Sequence, residues 1–242
     1  MVRFRVGKSY RFKRMKVAAI IFSRMASSRL PGKALRHIAG EPLIKRVINR
    51  VSKVKKLSTV VVATSNSKND DRLVEYIQSL NIEVFRGAAH DVLNRAVSCA
   101  SYLGVDKFIR INGDSPLIDP ELLEKGIEMW REPNLDLISN VFPRTYPVGT
   151  SVEIIKTDSL KKILSLTVDS CDREHVTRFF YRNPEKFRIL NFESGRSELR
   201  EVRLAVDTEE DLERIDWLFK EFGGLINFEM AAEKSLLWSR VE

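Results

Sequence analysis

Apolar positions along this chain alternate between two patterns. Val17–Phe22 and residues 59–64 are short, almost wholly apolar runs, as expected of strands buried on both faces. Between them Ile44, Val47, Ile48 and Val51 recur at i, i+3, i+4 and i+7, which predicts an amphipathic helix over 42–54. The alternation continues. Residues 69–80 read as a helix capped by Asn69 or Asp70, 83–86 as a strand, and 91–103 as a helix. Lys107–Asn112 is a strand, and Asp119-Pro120 opens a helix with Asp as N-cap and Pro in the first turn. Strand and helix in turn imply an α/β domain built on a mostly parallel sheet covered on both faces.

Beyond residue 136 the pattern loosens. Strands are predicted at 137–140 and 151–155, helices at 158–166 and 172–181, and a core strand at 202–206. A helix then runs to about Phe222, with a shorter one over 228–238. No repeat or low-complexity linker interrupts the chain. The expectation is one domain over 15–242, with an inserted arm at about 141–190.

Parallel sheets bind ligands at the carboxyl ends of their strands, so the loops that leave strands carry the candidate chemistry. Residues 23–33 end the first strand abruptly and bring three hydroxyls (Ser23, Ser27, Ser28), three cations (Arg24, Arg29, Lys33) and a Pro-Gly turn. Hydroxyls and amides that donate to phosphate oxygens, with Arg and Lys to neutralise them, suit a polyphosphate. The order of a Walker A loop is absent. Asp114, after Lys107–Asn112 and beside Gly113, suits Mg2+, which takes one or two carboxylates plus phosphate oxygens and water. An Asx turn would also explain it. Asp207 follows the predicted strand at 202–206 and is a second candidate carboxylate, while Thr208 and Asp211 read as a capping box. His37, His90 and His175 lack zinc spacing. His175 lies in the charged run 172–175, where a solvated helix face and a substrate role fit equally.

The net charge of +8 raises a nucleic-acid reading. Six basic residues and no acid lie within 1–14; the rest of the chain holds 35 Lys and Arg against 33 Asp and Glu. The body is therefore nearly balanced, and 1–14 reads as a disordered basic extension ahead of Met15, with nucleic acid the less favoured partner. No apolar run reaches the length of a membrane span. Cys99 and Cys171 lie far apart, which fits a reduced, cytoplasmic setting.

Residues 24–33 (Arg-Met-Ala-Ser-Ser-Arg-Leu-Pro-Gly-Lys), 113–119 (Gly-Asp-Ser-Pro-Leu-Ile-Asp) and 206–212 (Val-Asp-Thr-Glu-Glu-Asp-Leu) together resemble the sugar-activating cytidylyltransferases. The spore coat polysaccharide biosynthesis group is the nearest in look, related to the acylneuraminate and 3-deoxy-manno-octulosonate enzymes. Residues 145–149 and 173–177 resemble that group too, and the likeness runs from about residue 16 to 222. It implies a nucleotide-diphospho-sugar transferase fold, with a mainly parallel mixed sheet flanked by helices. It also implies a homodimer in which an arm of one subunit closes over the other's site. Carried onto this chain, Arg24, Ser27, Arg29 and Lys33 would bind CTP phosphates, with Ser23, Ser28, Thr64 and Asn112 completing the nucleotide side. Asp114 and Asp207 would hold Mg2+. Arg24, Lys33 and Asp114 would carry catalysis, the attack of a sugar hydroxyl on the α-phosphorus with loss of pyrophosphate. Arg144, Tyr146, Arg173 and His175 are expected on the side of a sugar-acid acceptor.

Overall fold

The structure is a computed structural model that describes residues 17–224 and 226–238. The basic extension at 1–14 lies outside them. In chain order the chain forms β1 (Val17–Phe22), β2 (His37–Ile38), β3 (Glu41–Pro42), α1 (Leu43–Val51), β4 (Thr59–Ser65), α2 (Asp71–Ser79), β5 (Glu83–Gly87), α3 (Val92–Tyr102) and β6 (Lys107–Asn112). There follow α4 (Pro120–Met129), β7 (Leu137–Ser139), β8 (Glu153–Lys156), α5 (Thr157–Leu166), α6 (Ser170–Glu174), α7 (Arg178–Arg182), β9 (Ile189–Asn191), α8 (Glu209–Phe222) and α9 (Phe228–Ser235).

Seven strands form one sheet in the order β5-β4-β1-β6-β8-β7-β9, and β2 pairs with β3 in a separate two-stranded ribbon. All neighbours in the large sheet are parallel except β8, which runs against both β6 and β7. From β1 the chain builds outward through β4 to β5, then returns to place β6 on the other flank of β1. That reversal makes the carboxyl ends of β1 and β6 the crevice where ligands of such sheets sit.

Side-chain alternation divides β1 between two cores. Ala19 and Ile21 belong to the core shared with α1, α2, α4, α8 and α9, while Ala18 and Ile20 belong to the core shared with α3, α5 and α7. A strand covered on both faces has no polar side, which is why 17–22 reads as an unbroken apolar run.

Three predictions are corrected. Val202, Leu204, Ala205 and Val206 are buried and Arg203 is exposed, but residues 202–206 join no regular strand. Val148 N–H donates to Val202 O, Leu204 N–H to Val148 O and Val206 N–H to Asp114 O, so their partners are loops. The helix expected over 172–181 is broken into α6 and α7. Asp169 caps α6, and buried Asp172 accepts from Thr167 and pairs with Arg178. Asp70 does not cap α2 with its side chain. Ser67 serves the preceding 3-10 turn at Lys68–Asp70, and the Asp70 carboxylate turns back to the end of β4.

Candidate active site

The loop after β1 is shaped from beneath. Asp70 is buried and accepts from the backbone N–H of Met25 at 2.7 Å, from the Thr64 hydroxyl at 2.9 Å, and from both the amide and hydroxyl of Ser65. One carboxylate thus ties the loop to β4. Burial pushes the Asp70 pKa up, but the Ser65, Met25 and Thr64 donors outweigh it and hold the group below the usual carboxylate range. Leu30 anchors the far side of the loop in the core, and Gly32 N–H donates to Met25 O at 3.0 Å. Ser23, Arg24, Ser27, Ser28 and Arg29 are left facing a cleft of about 730 Å3.

The loop after β6 touches the first. Gly113 N–H donates to Phe22 O at 2.8 Å, and a Cβ on Gly113 would stand 2.7 Å from Ser23 Cβ. Only glycine fits that approach. The next residue, Asp114, accepts from Lys33 Nζ at 2.9 Å, and so does Asp207 at the same distance. The third partner of the ammonium is Val206 O, also at 2.9 Å. Two chain segments far apart in sequence, at Asp114 and at Val206-Asp207, therefore place three oxygens around the charge of a third. Arg29 at 3.0 Å and Arg203 at 2.6 Å complete the surroundings of Asp207. Burial would raise the Asp207 pKa; Lys33, Arg29 and Arg203 overcome it and lower it.

The opposite wall comes from β6, α3 and the break between α6 and α7. Arg110, Asn112, His90, Arg95, Glu174 and His175 line it. Arg24 spans the cleft, pairing with Glu174 at 2.8 Å and donating to Ala89 O at 3.3 Å.

A protein-family model described as Cytidylyltransferase matches residues 18–239. The chain belongs to the cytidylyltransferase family. It is 31% identical over 210 residues to the spore coat polysaccharide biosynthesis protein SpsF of Bacillus subtilis, covering 84% of this chain and 86% of that one. It is 32% identical over 191 residues to a 3-deoxy-manno-octulosonate cytidylyltransferase of Geobacter metallireducens, covering 77% and 67%. The solved structure of a cytidylyltransferase from Leptospira borgpetersenii superposes with a TM-score of 0.87 at 28% identity, over 94% of this chain and 95% of that one. The protein is a nucleotidyltransferase with the fold that the resemblance implied.

Not every predicted site residue of this cytidylyltransferase reaches the cleft. Ser23, Arg24, Ser27, Ser28, Arg29, Lys33, Asn112, Asp114, His175 and Asp207 line it together. Thr64 is fully buried and spends its hydroxyl on Asp70, so it supports the loop from below. Tyr146 is a core residue, packed against Phe192 and Phe228 with its hydroxyl donating to Glu193 O. Arg173 pairs with Asp91 at 2.9 Å and donates to Thr167 O and Leu164 O, fastening α6 to α3 and α5. Arg144 donates to Pro147 O and Ser151 Oγ, outside the residues that line the cleft. In each case a polar residue near a motif found a partner within the protein. Arg95, Arg110 and Asp70 were not expected here. Arg110 does leave a trace, a charge between two apolar residues inside a strand.

The donor set suits Mg2+. Asp114 and Asp207 are hard oxygen donors already gathered around a cation, and among the described residues the second Asp114 oxygen accepts only from the Ser115 hydroxyl, at 3.3 Å. Among the described residues no group of three or more His, Cys, Asp or Glu could hold a metal. A two-carboxylate site completed by phosphate is the arrangement Mg2+ ordinarily takes. Among the same residues no helix is long and apolar enough to cross a membrane.

Proposed function

We propose that the protein transfers CMP from CTP to a sugar acid, releasing pyrophosphate, in the synthesis of a surface polysaccharide. The observation that carries this reading is the convergence of Asp114 and Asp207 on Lys33, beside the Arg- and Ser-rich loop at the β1/β6 crevice. The sugar-acid assignment draws on the Geobacter metallireducens relative, the polysaccharide assignment on SpsF.

Arg24, Arg29 and the hydroxyls of Ser27 and Ser28 receive the β- and γ-phosphates. A hydroxyl of the acceptor attacks the α-phosphorus in line. The new O–P bond forms as the bond to the β-phosphate oxygen breaks, and the hydroxyl proton passes to solvent. Arg24 and Lys33 meet the charge that develops on the departing pyrophosphate. Most of the acceleration comes from holding two reactants in register. Asp114 and Asp207 would hold Mg2+, which when bound supplies further charge neutralisation at the phosphates. A cytoplasmic location, where CTP is at hand, belongs to this reading. A homodimer, with part of 141–190 reaching the partner's site, belongs to the same proposal.

Pyrophosphate release is measured with each of the four nucleoside triphosphates and a panel of 2-keto sugar acids, with Mg2+ or with EDTA. CTP with one acid and Mg2+ is the expected combination. Asp114→Asn, nearly isosteric but a poor ligand, should be silent at an unchanged melting temperature. Turnover by another triphosphate alone, or at full rate in EDTA, sinks the reading.

A further inference from the structure

We infer that Arg110 holds the carboxylate of the acceptor, and that buried Glu153, held by Tyr181, fixes its aim. This rests on the acid acceptor proposed above.

Arg110 and Asn112 stand two residues apart on one face of β6, about 7 Å along the strand, and both line the cleft. Arg110 donates one Nη to Glu153 Oε2 at 2.6 Å, directly across the β6–β8 pair. The other Glu153 oxygen accepts from the Tyr181 hydroxyl at 2.7 Å, and that hydroxyl also meets Ser139 at 2.9 Å. Burial favours a neutral Glu153, but Arg110 prevails and keeps the carboxyl below its usual range. Burial and the neighbouring Glu153 raise the Tyr181 phenol, which stays a donor. Glu153 therefore anchors the guanidinium through an ion pair that is itself immobilised.

The anchor leaves donors unspent. Arg110 Nε is buried without a partner, and one Nη makes no bond with the described residues. The buried Nε is closed to the cleft, so the unbonded Nη is the donor that a ligand oxygen meets. The side chain is 19% exposed against 3% for Glu153, so its open part faces the cleft. A guanidinium fork matches a carboxylate in two parallel bonds. Arg95 also has a buried, unpartnered Nε, but it lies beneath the β5–α3 turn, bonded to Ala88 O and near Arg24, toward the phosphate loop. Arg110 is drawn instead toward β8 by its bond to Glu153.

Steady-state kinetics of Arg110→Lys, Arg110→Gln and the double variant Arg110→Gln/Glu153→Gln test the assignment. Pyrophosphate release is followed with CTP and 3-deoxy-manno-octulosonate, related 2-keto sugar acids and their methyl esters. The double variant removes both halves of the buried pair, so it reports even where Arg110→Gln alone strands Glu153 and misfolds. Each variant should raise the acceptor KM by about 10- to 100-fold with the CTP KM within twofold. The preference for acid over ester should collapse in the two Gln variants. An unchanged acceptor KM, or a rise in the CTP KM instead, overturns the assignment while leaving cytidylyl transfer to a sugar acid in place. Wild-type enzyme that uses CTP but none of the acids overturns the acceptor reading, and the role of Arg110 with it.

Discussion

Lys33 and Asp70 do similar work at opposite ends of one loop: each gathers groups that would otherwise drift or repel. Without the Lys33 ammonium, Asp114 and Asp207 would face each other at short range. The bonds it makes are charge-assisted and mostly shielded, with the three side chains between 15% and 28% exposed. Lys33→Ala should lower stability by about 1.5–3 kcal/mol in urea titration, and weaken CTP binding more than CMP binding. Equal losses for CTP and CMP would remove Lys33 from the outer phosphates. Asp70 and Asp207 both have folded-state pKa values below their unfolded ones. Their stabilisation is therefore fully present above the unfolded value, about 3.9, and is lost as pH falls through the folded values. Melting temperature should drop below pH 4, and Asp70→Asn should flatten that acid limb while lowering the plateau above it. An acid limb as steep in the variant as in wild type would clear Asp70.

Irregular segments, more than helices or strands, bring the carboxylates together. Residues 202–206 reach Asp114 because their backbone bonds to the loop at Val148 and to Asp114 O. Gly149 allows that contact, with a φ of 104° and a Cβ position 2.6 Å from Leu204 C. Gly149→Ala should strain the backbone and push 202–206 outward, at a cost of about 1–3 kcal/mol. Because Asp207 rides on that segment, activity should fall further than the stability loss explains at temperatures well below melting. A destabilised but fully active variant would show that Asp207 does not depend on it. The capping box of α8, with Thr208 and Asp211 satisfying each other's backbone, fixes the other end of the same stretch.

Across the molecule, the candidate catalytic groups among the described residues occupy one edge of one sheet, and the motifs that carry them all follow the first core strand in the sequence, whereas residues 1–14 carry none. Deleting 1–14 should therefore leave kcat/KM unchanged in the pyrophosphate assay. A tenfold fall would bring the basic extension into the site.

Local chemistry was enough to read much of this. Nearly unbroken apolar runs mark β1 and β4, because a doubly covered strand has no polar side. The i, i+3, i+4 spacing marks α1, and Asp119-Pro120 and Thr208–Asp211 mark the starts of α4 and α8, because caps act within one turn. The hydroxyl-rich loop and Asp114 were legible because each directly follows a predicted strand. What lay beyond reach was which polar residue meets which partner. Thr64, Tyr146 and Arg173 resemble site residues in sequence, yet tertiary packing gives each an internal partner and takes it out of the cleft. Asp70 looks like a cap until β4 and the β1 loop are folded against it. Arg110 and Glu153 become a pair only when β8 is set antiparallel beside β6. The strength of a polar contact depends on distance and burial, and for residues far apart in the chain only the folded structure sets both.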